Sequence, residues 1–477
     1  MPKKYRFLLY PLLLNSVLLP PLKADRPLVS PGLIEALQQK SPESLKEGIE
    51  FQPGGDEMQK GLLEGDSLLI DKAANELKGN NLVSQYAEID KLRVKGDYQN
   101  ANKLLDICGK TFFQKPDDPD PLPPISGVGM VCQQILAGNY FLDGNLKDWG
   151  KSLDIINTIY YPAIRKFAGL EQFSLADSKI GKLSIAPNSV PTFSITGIDR
   201  QQNIPLHYPK ISEEGYHNST WDVPYMMASL NGTNFPFFIG TDIAISKLPK
   251  ALSQSPHVHI IGYINRAENG RSQVYDGDLG IVDELKIGNA VLKNVPFIFA
   301  NVDQAVLGLM VLQKLGKIRI DKHQFSFGKN IACNCQQDIH LGSELGGDYQ
   351  MLKYPVKWRE KTEMVTISLS QTSLDDVSII ISQHNFTPEE EKQSREITTN
   401  LPNTKSKEES IYQKEVNLII DGINYGKTKE LFKKDSVHRP FRSMGVSILE
   451  KADLYLDFIN HKACLKPNNS DEQPIPQ

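Results

Sequence analysis

From about residue 35 to 169 the apolar positions recur at helical spacing, as in Leu82, Tyr86, Ile89 and Leu92, then Ala101, Leu104, Leu105 and Cys108, a period of 3.6 residues that predicts amphipathic helices. Gly96-Asp97-Tyr98-Gln99-Asn100-Ala101 reads as the turn between two of them, and Gly144-Asn145-Leu146-Lys147-Asp148-Trp149 as a second such turn. Lys115-Pro116-Asp117-Asp118-Pro119-Asp120-Pro121 interrupts the helices with a loop. After Gly169 the pattern becomes short runs of Val, Ile, Phe and Tyr parted by Gly, Pro and Asn, which predicts strands. Met226 to Leu230, Asn231-Gly232 and Phe235 to Ile239 read as a hairpin with a tight turn, since Asn-Gly supplies the positive φ that two-residue turns need. Asp283 to Leu292 reads as another. Phe386 to Ser410, charged and poor in apolar residues, reads as a mobile loop, and the tail from Lys466 as disordered.

Composition narrows this picture. The 477 residues carry 53 basic and 57 acidic side chains, a net charge of −4, and 40% are hydrophobic, a composition of about three globular domains. No cluster of Lys and Arg offers phosphates a partner, so nucleic-acid binding is excluded from the reading. Lys3, Lys4 and Arg6 precede an apolar run from Phe7 to Leu22 that ends at Lys23-Ala24-Asp25, the form of an export signal cut after Ala24. The run, broken by Pro11, Asn15, Pro20 and Pro21, is unsuited to a membrane span, and no later stretch is long enough for one. Cleavage would leave 49 basic against 57 acidic residues, −8. The two Gly-Asx turns lie 48 residues apart, against roughly 34 in a regular tetratricopeptide array. The expectation is therefore TPR-like but irregular helical hairpins.

Phe237-Phe238-Ile239-Gly240-Thr241-Asp242-Ile243-Ala244-Ile245-Ser246 resembles the active-site loop of pepsin- and retropepsin-like aspartic peptidases, a hydrophobic strand running into Asp-Thr-Gly. Leu285 to Gly288 with Val295 to Phe299, and Val306-Leu307-Gly308-Leu309-Met310-Val311-Leu312 with Ile318 to Asp321, resemble the paired strands and closing segment of that family. The second half repeats the plan. Met444 to Lys451 with Leu454 to Asp457 parallels the closing segment at an offset of 137 residues, and Leu418 to Gly422 parallels Leu285 to Gly288 at 134. Val377 to His384 is taken as the strand into the second loop, with Ser382 matching Gly240 at 142. The resemblance thus implies two β lobes in one chain.

In that family two carboxylates close enough to share a proton activate water and polarise the scissile carbonyl. Here the first loop has Gly240 at the Asp position and Asp242 at the Gly position, and Ser382-Gln383-His384 has no carboxylate. Asp375 and Asp376 lie before that strand and on the far side of it, about 20 Å from its end at roughly 3.3 Å per residue. Asp242 with Thr241 and Gly240 is the candidate catalytic loop, degenerate in form, because a misplacement of about 1 Å already costs about a hundredfold. Tyr275, Gly308 and Ser382 are the candidate substrate-binding residues, Tyr275 standing where the family has its flap, between Asn265 and Gly280.

The five cysteines, in an oxidising compartment, are expected to pair as Cys108 with Cys132, and Cys464 with Cys333 or Cys335. His257 and His259 share a strand face but lack an evident third ligand, and are read as exposed polar residues. No metal and no cofactor is expected.

The expected fold class is α+β multidomain: a signal peptide over 1–24, helical hairpins over 30–169, an all-β bilobal pepsin-like barrel domain with lobes over 180–335 and 345–466, and a disordered tail over 467–477. The expected function is an exported, monomeric, catalytically inactive peptidase-like protein that binds an extended peptide or protein partner, periplasmic or extracellular. Two alternatives stand beside it: an active aspartic endopeptidase using Asp242, and a helical adaptor for which the β domain is a scaffold.

Overall fold

The structure is a computed structural model that describes residues 55–76, 81–111, 123–160, 162, 181–208, 223–266, 275–343, 350–358, 361–370, 378–383, 395–399, 409–433 and 441–468, some of them by backbone alone. The expected signal peptide, residues Asp375, Asp376 and His384, and nearly all of the expected tail lie outside them. Two compact units are present, one formed by Met1–Thr192 with Ile261–Arg266 and Leu341–Tyr349, the other by the remaining chain. The first is helical and the second strand-rich, an α+β chain with a barrel-like β unit.

The helical unit holds α1 (Gly55–Glu64), α2 (Ser67–Glu76), α3 (Asn81–Val94), α4 (Tyr98–Thr111), α5 (Pro123–Leu142) and α6 (Leu146–Ile155). Three helix-to-helix turns share one construction. Gly65, Gly96 and Gly144 take φ of 67°, 76° and 74°, the left-handed region that ends helices. The next residue, Asp66, Asp97 or Asn145, returns its N–H to the carbonyl five residues back. Its side chain then accepts from the first turn of the following helix: Leu68 and Leu69 for Asp66, Asn100 for Asp97, Asp148 for Asn145. The turns at Gly96 and Gly144 are those expected from the sequence, and Gly65-Asp66 is a third of the same kind. Among the described residues no helix is long and apolar enough to cross a membrane.

Cys108 and Cys132 are joined, linking α4 to α5, and the Tyr86 hydroxyl lies 2.9 Å from the Cys132 sulfur. One turn on, Asp90 is 4% exposed, and burial pushes its carboxyl up to about 7, with Arg93 acting in the opposite direction. The unfolded chain ionises near 4 while the folded chain stays protonated, so stability is full below pH 4 and falls as pH rises from about 4 to 7. Three pH units correspond to about 4 kcal/mol at most. Asp90→Asn is therefore expected to flatten this dependence, equalling the wild type near pH 4 and exceeding it at pH 8. Hydrogen exchange of α3 across that pH range checks the prediction, and an unchanged slope would refute it.

The β unit contains the same plan twice. In the first lobe Tyr225–Leu230 and Thr233–Ile239 form the expected hairpin, its Asn231-Gly232 turn at φ 48° and 86°. Chain then runs through 240–245 into Ser246–Pro249, a second hairpin pairs Tyr275–Ile287 with Ala290–Ala300, and Ala305–Leu307 inserts between Thr233–Ile239 and Ser246–Pro249. In the second lobe Gln350–Trp358 and Lys361–Ile367 form the hairpin, Ser378–Gln383 follows, Glu409–Ile420 pairs with Ile423–Lys433, and Phe441–Met444 inserts between Lys361–Ile367 and Ser378–Gln383. The stretch expected to be a mobile loop holds a strand, Arg395–Thr399, paired with Glu409 to Gln413; Ile397, Thr398 and Thr399 supply the β-branched residues that its charged neighbours masked.

Each lobe closes with a hairpin, Lys317–Ile320 with Gln324–Phe327 and Ala452–Asp457 with Lys462–Pro467. The two hairpins pair with one another, Ile318 opposite Leu456 and Ile320 opposite Leu454. One sheet thus crosses from lobe to lobe. All four of these side chains are fully buried, each contributing about 1.5–3 kcal/mol by removal from water. The cysteine left open by the sequence is resolved as well: Cys335 joins Cys464 and Cys333 is free.

Candidate functional site

The lobes meet at their two loops. Each loop begins where an apolar strand ends against the inserted strand. Gly240 N–H donates to Leu307 O at 2.8 Å, and Ser368 N–H donates to Met444 O at 2.9 Å. Ile239 is level with Leu307 and Ile367 with Met444 in the parallel pairings. The equivalent of Gly240-Thr241-Asp242 is therefore Ser368-Leu369-Ser370, offset by 128 residues. This corrects the expectation for Ser382. It lies in Ser378–Gln383, paired with Phe432 and Arg442, and corresponds to the strand that leaves the loop. The two strands flanking the loop are both short apolar runs, which sequence inspection cannot tell apart.

Thr241 is completely buried. Its hydroxyl donates to Ile367 O at 2.7 Å and accepts from Leu369 N–H at 3.1 Å, and its carbonyl accepts from Leu352 N–H at 2.7 Å. Every one of these partners belongs to the other lobe. Asp242, 2% exposed, adds two more, accepting from Ser368 Oγ and Ser370 Oγ, both at 2.8 Å. The half-buried Lys247 lies on the strand leaving the loop. Burial pushes its ammonium down to about 8, and the nearby Asp242 acts in the opposite direction.

Neither position where the resemblance implies a catalytic carboxylate holds one: Gly240 stands at the first and Ser368 at the second. A Cβ at 240 would lie 2.6 Å from Ile243 Cγ1 and 2.7 Å from Val306 Cγ1, so apolar side chains occupy the space a carboxylate would start from. The only carboxyl group among residues 240–246 and 367–370 is that of Asp242, and both its oxygens already accept hydroxyls. Ser368, Ser370 and Lys247 were missed from the sequence. A usable signal was present in Val365-Thr366-Ile367 before Ser368, matching Phe237-Phe238-Ile239 before Gly240.

Gly308 packs on the loop backbone, its N–H donating to Ser246 Oγ at 2.9 Å. Leu309 and Met310 N–H donate to Ile243 and Ala244 carbonyls at 2.9 and 2.8 Å. Tyr275 opens the strand Tyr275–Ile287, and its side chain lies outside the described atoms. His257 Nδ1 and His259 Nε2 flank one carboxyl, that of Asp283, at 3.2 and 2.9 Å, and all three side chains are exposed.

No protein-family model matches the sequence, and no curated protein does. Among solved structures, a retropepsin-like aspartic protease from Rickettsia conorii is similar at 16% identity and a TM-score of 0.20, over 28% of this chain and 92% of that one. Basic 7S globulin from soybean is similar at 12% identity and conglutin gamma, a basic 7S globulin from lupine seeds, at 11%. Both have a TM-score of 0.36, over 57% of this chain and 95% of theirs.

Proposed function

We propose that the chain is an exported, aspartic-peptidase-like protein that holds an extended peptide or protein segment between its lobes without cleaving it. One observation carries the reading: Asp242 is buried and bound by the hydroxyls of Ser368 and Ser370, while Gly240 and Ser368 occupy the positions where the resemblance implies a pair of carboxylates. Shared-proton activation of water needs two carboxyl groups at one point. A single carboxyl group engaged by two hydroxyls performs a different task, fastening one lobe to the other. What two such lobes retain is main-chain recognition of an extended segment. Two disulfides support an oxidising compartment.

The test is digestion of an unfolded protein by the full chain between pH 3 and pH 7, beside a binding assay with immobilised extended peptides. Binding without cleavage at any pH is expected. Acid-dependent cleavage that a statine-type transition-state mimic inhibits and Asp242→Asn removes would establish the alternative, an active endopeptidase.

A further inference from the structure

Three sulfurs meet where the first lobe hands the chain to the second. Cys335 and Cys464 are bonded, and the free Cys333 sulfur lies 3.2 Å from that of Cys335, within the ~3–3.5 Å separation of reacting atoms poised for attack. Cys333 is half-buried, whereas Cys335 and Cys464 are 8% and 9% exposed. The segment is held in place by backbone pairing, Ala463 N–H to Gln337 O at 3.1 Å and Ile339 N–H to His461 O at 2.9 Å, and Cys464 sits opposite Tyr455 in the closing hairpin.

We propose that Cys333, Cys335 and Cys464 form a thiol–disulfide exchange site, in which Cys333 displaces Cys464 from Cys335 and so opens the covalent ring around the second lobe. The Cys333 thiol loses its proton to solvent and the thiolate attacks Cys335 Sγ. A Cys333–Cys335 bond forms, the Cys335–Cys464 bond breaks, and its electron pair leaves with Cys464, which takes up a proton. No oxidant or reductant is consumed. The bond that spans 129 residues is exchanged for one that spans two, so the second lobe keeps its hydrogen bonds and loses its covalent closure. The groups facing the thiol are Lys466 and Lys317, which favour the thiolate, and Asp457, which opposes it; Tyr455 is also close. Burial dominates and pushes the thiol up, so exchange accelerates with rising pH, about tenfold per unit below the thiol pKa.

The oxidised full chain is incubated without reductant at pH 7 and at pH 8.5, quenched at pH 3, and mapped as disulfide-linked peptides beside a sample kept at pH 3 throughout. The expected result is a Cys333–Cys335 species with free Cys464, at least tenfold more abundant after pH 8.5 than in the acid-held sample. It should arise faster at pH 8.5 than at pH 7, and Cys333→Ser should leave Cys464 bonded to Cys335 under every condition. A wild-type map that shows Cys335–Cys464 alone at both pH values overturns the proposal, as does free Cys464 in Cys333→Ser at the wild-type level. The acid-held wild type supplies the comparison should that variant fold poorly.

Discussion

Asp242→Ala is expected to lower the stability of the β unit by about 3 kcal/mol, because it removes two hydrogen bonds to a buried carboxyl group at about 1–2 kcal/mol each and leaves the Ser368 and Ser370 hydroxyls without their acceptor. For a unit of this size the midpoint of thermal unfolding should fall by roughly 6–12 °C. Asp242→Asn, which keeps the shape and one acceptor, should lose about half as much. A double-mutant cycle between Asp242→Ala and Ser368→Ala should return a coupling of at least about 1 kcal/mol, as expected for residues in direct contact. Calorimetry on the full chain reads all of these. Were Asp242 a catalytic residue held in reserve, its removal would be neutral or stabilising, since catalytic groups carry strain that folding does not need; a shift within 2 °C would exclude the clasp.

Gly308→Ala should be at least as damaging, by a different mechanism. A Cβ there would stand 2.7 Å from Ile245 C, 2.9 Å from Ala244 O and 2.9 Å from Ser246 N. All three atoms are backbone, so no side chain can turn aside, and they belong to the loop whose tip carries Thr241 and Asp242. Overpacking of this kind costs about 1–3 kcal/mol when neighbours can shift and more when they cannot, and any shift would strain the bond from the residue 308 N–H to Ser246 Oγ. About 3–5 kcal/mol is expected, read as the loss of the β-unit transition in a denaturant titration. Gly232→Ala is the control: nothing lies within 4 Å of its Cβ, and only the φ of 86° opposes the change, at about 1–2 kcal/mol. Equal effects at 232 and 308 would mean that backbone conformation, and not the close approach, makes Gly308 necessary.

Local features were legible because their causes are local. Gly-Asx marks a helix-to-helix turn wherever left-handed backbone is followed by a capping side chain, and Asn231-Gly232 marks a hairpin by the same conformational logic. The duplication was legible from landmarks at Gly308 and Gly445, each an extended glycine between an inserted strand and a short helix, and at Gly308 the close approach of backbone leaves no room for a side chain. The partner of Cys464 was not legible, because Cys333 and Cys335 differ by two positions in chain and only their directions in space separate them.

What the sequence by itself determined is the order of events along the chain: helical hairpins, then two copies of a β lobe, with Gly240 and Asp242 on either side of Thr241 in the first loop. Only the tertiary structure decided which residues face one another across the lobes. It put Ser368, and not Ser382, opposite the first loop, and it filled the space beside Gly240 with Ile243 and Val306. The reason is physical. Strand identity follows from alternation and turn chemistry over a few residues, whereas the level at which two strands meet is set by hydrogen bonds between segments more than a hundred residues apart, as between Thr241 and Ile367.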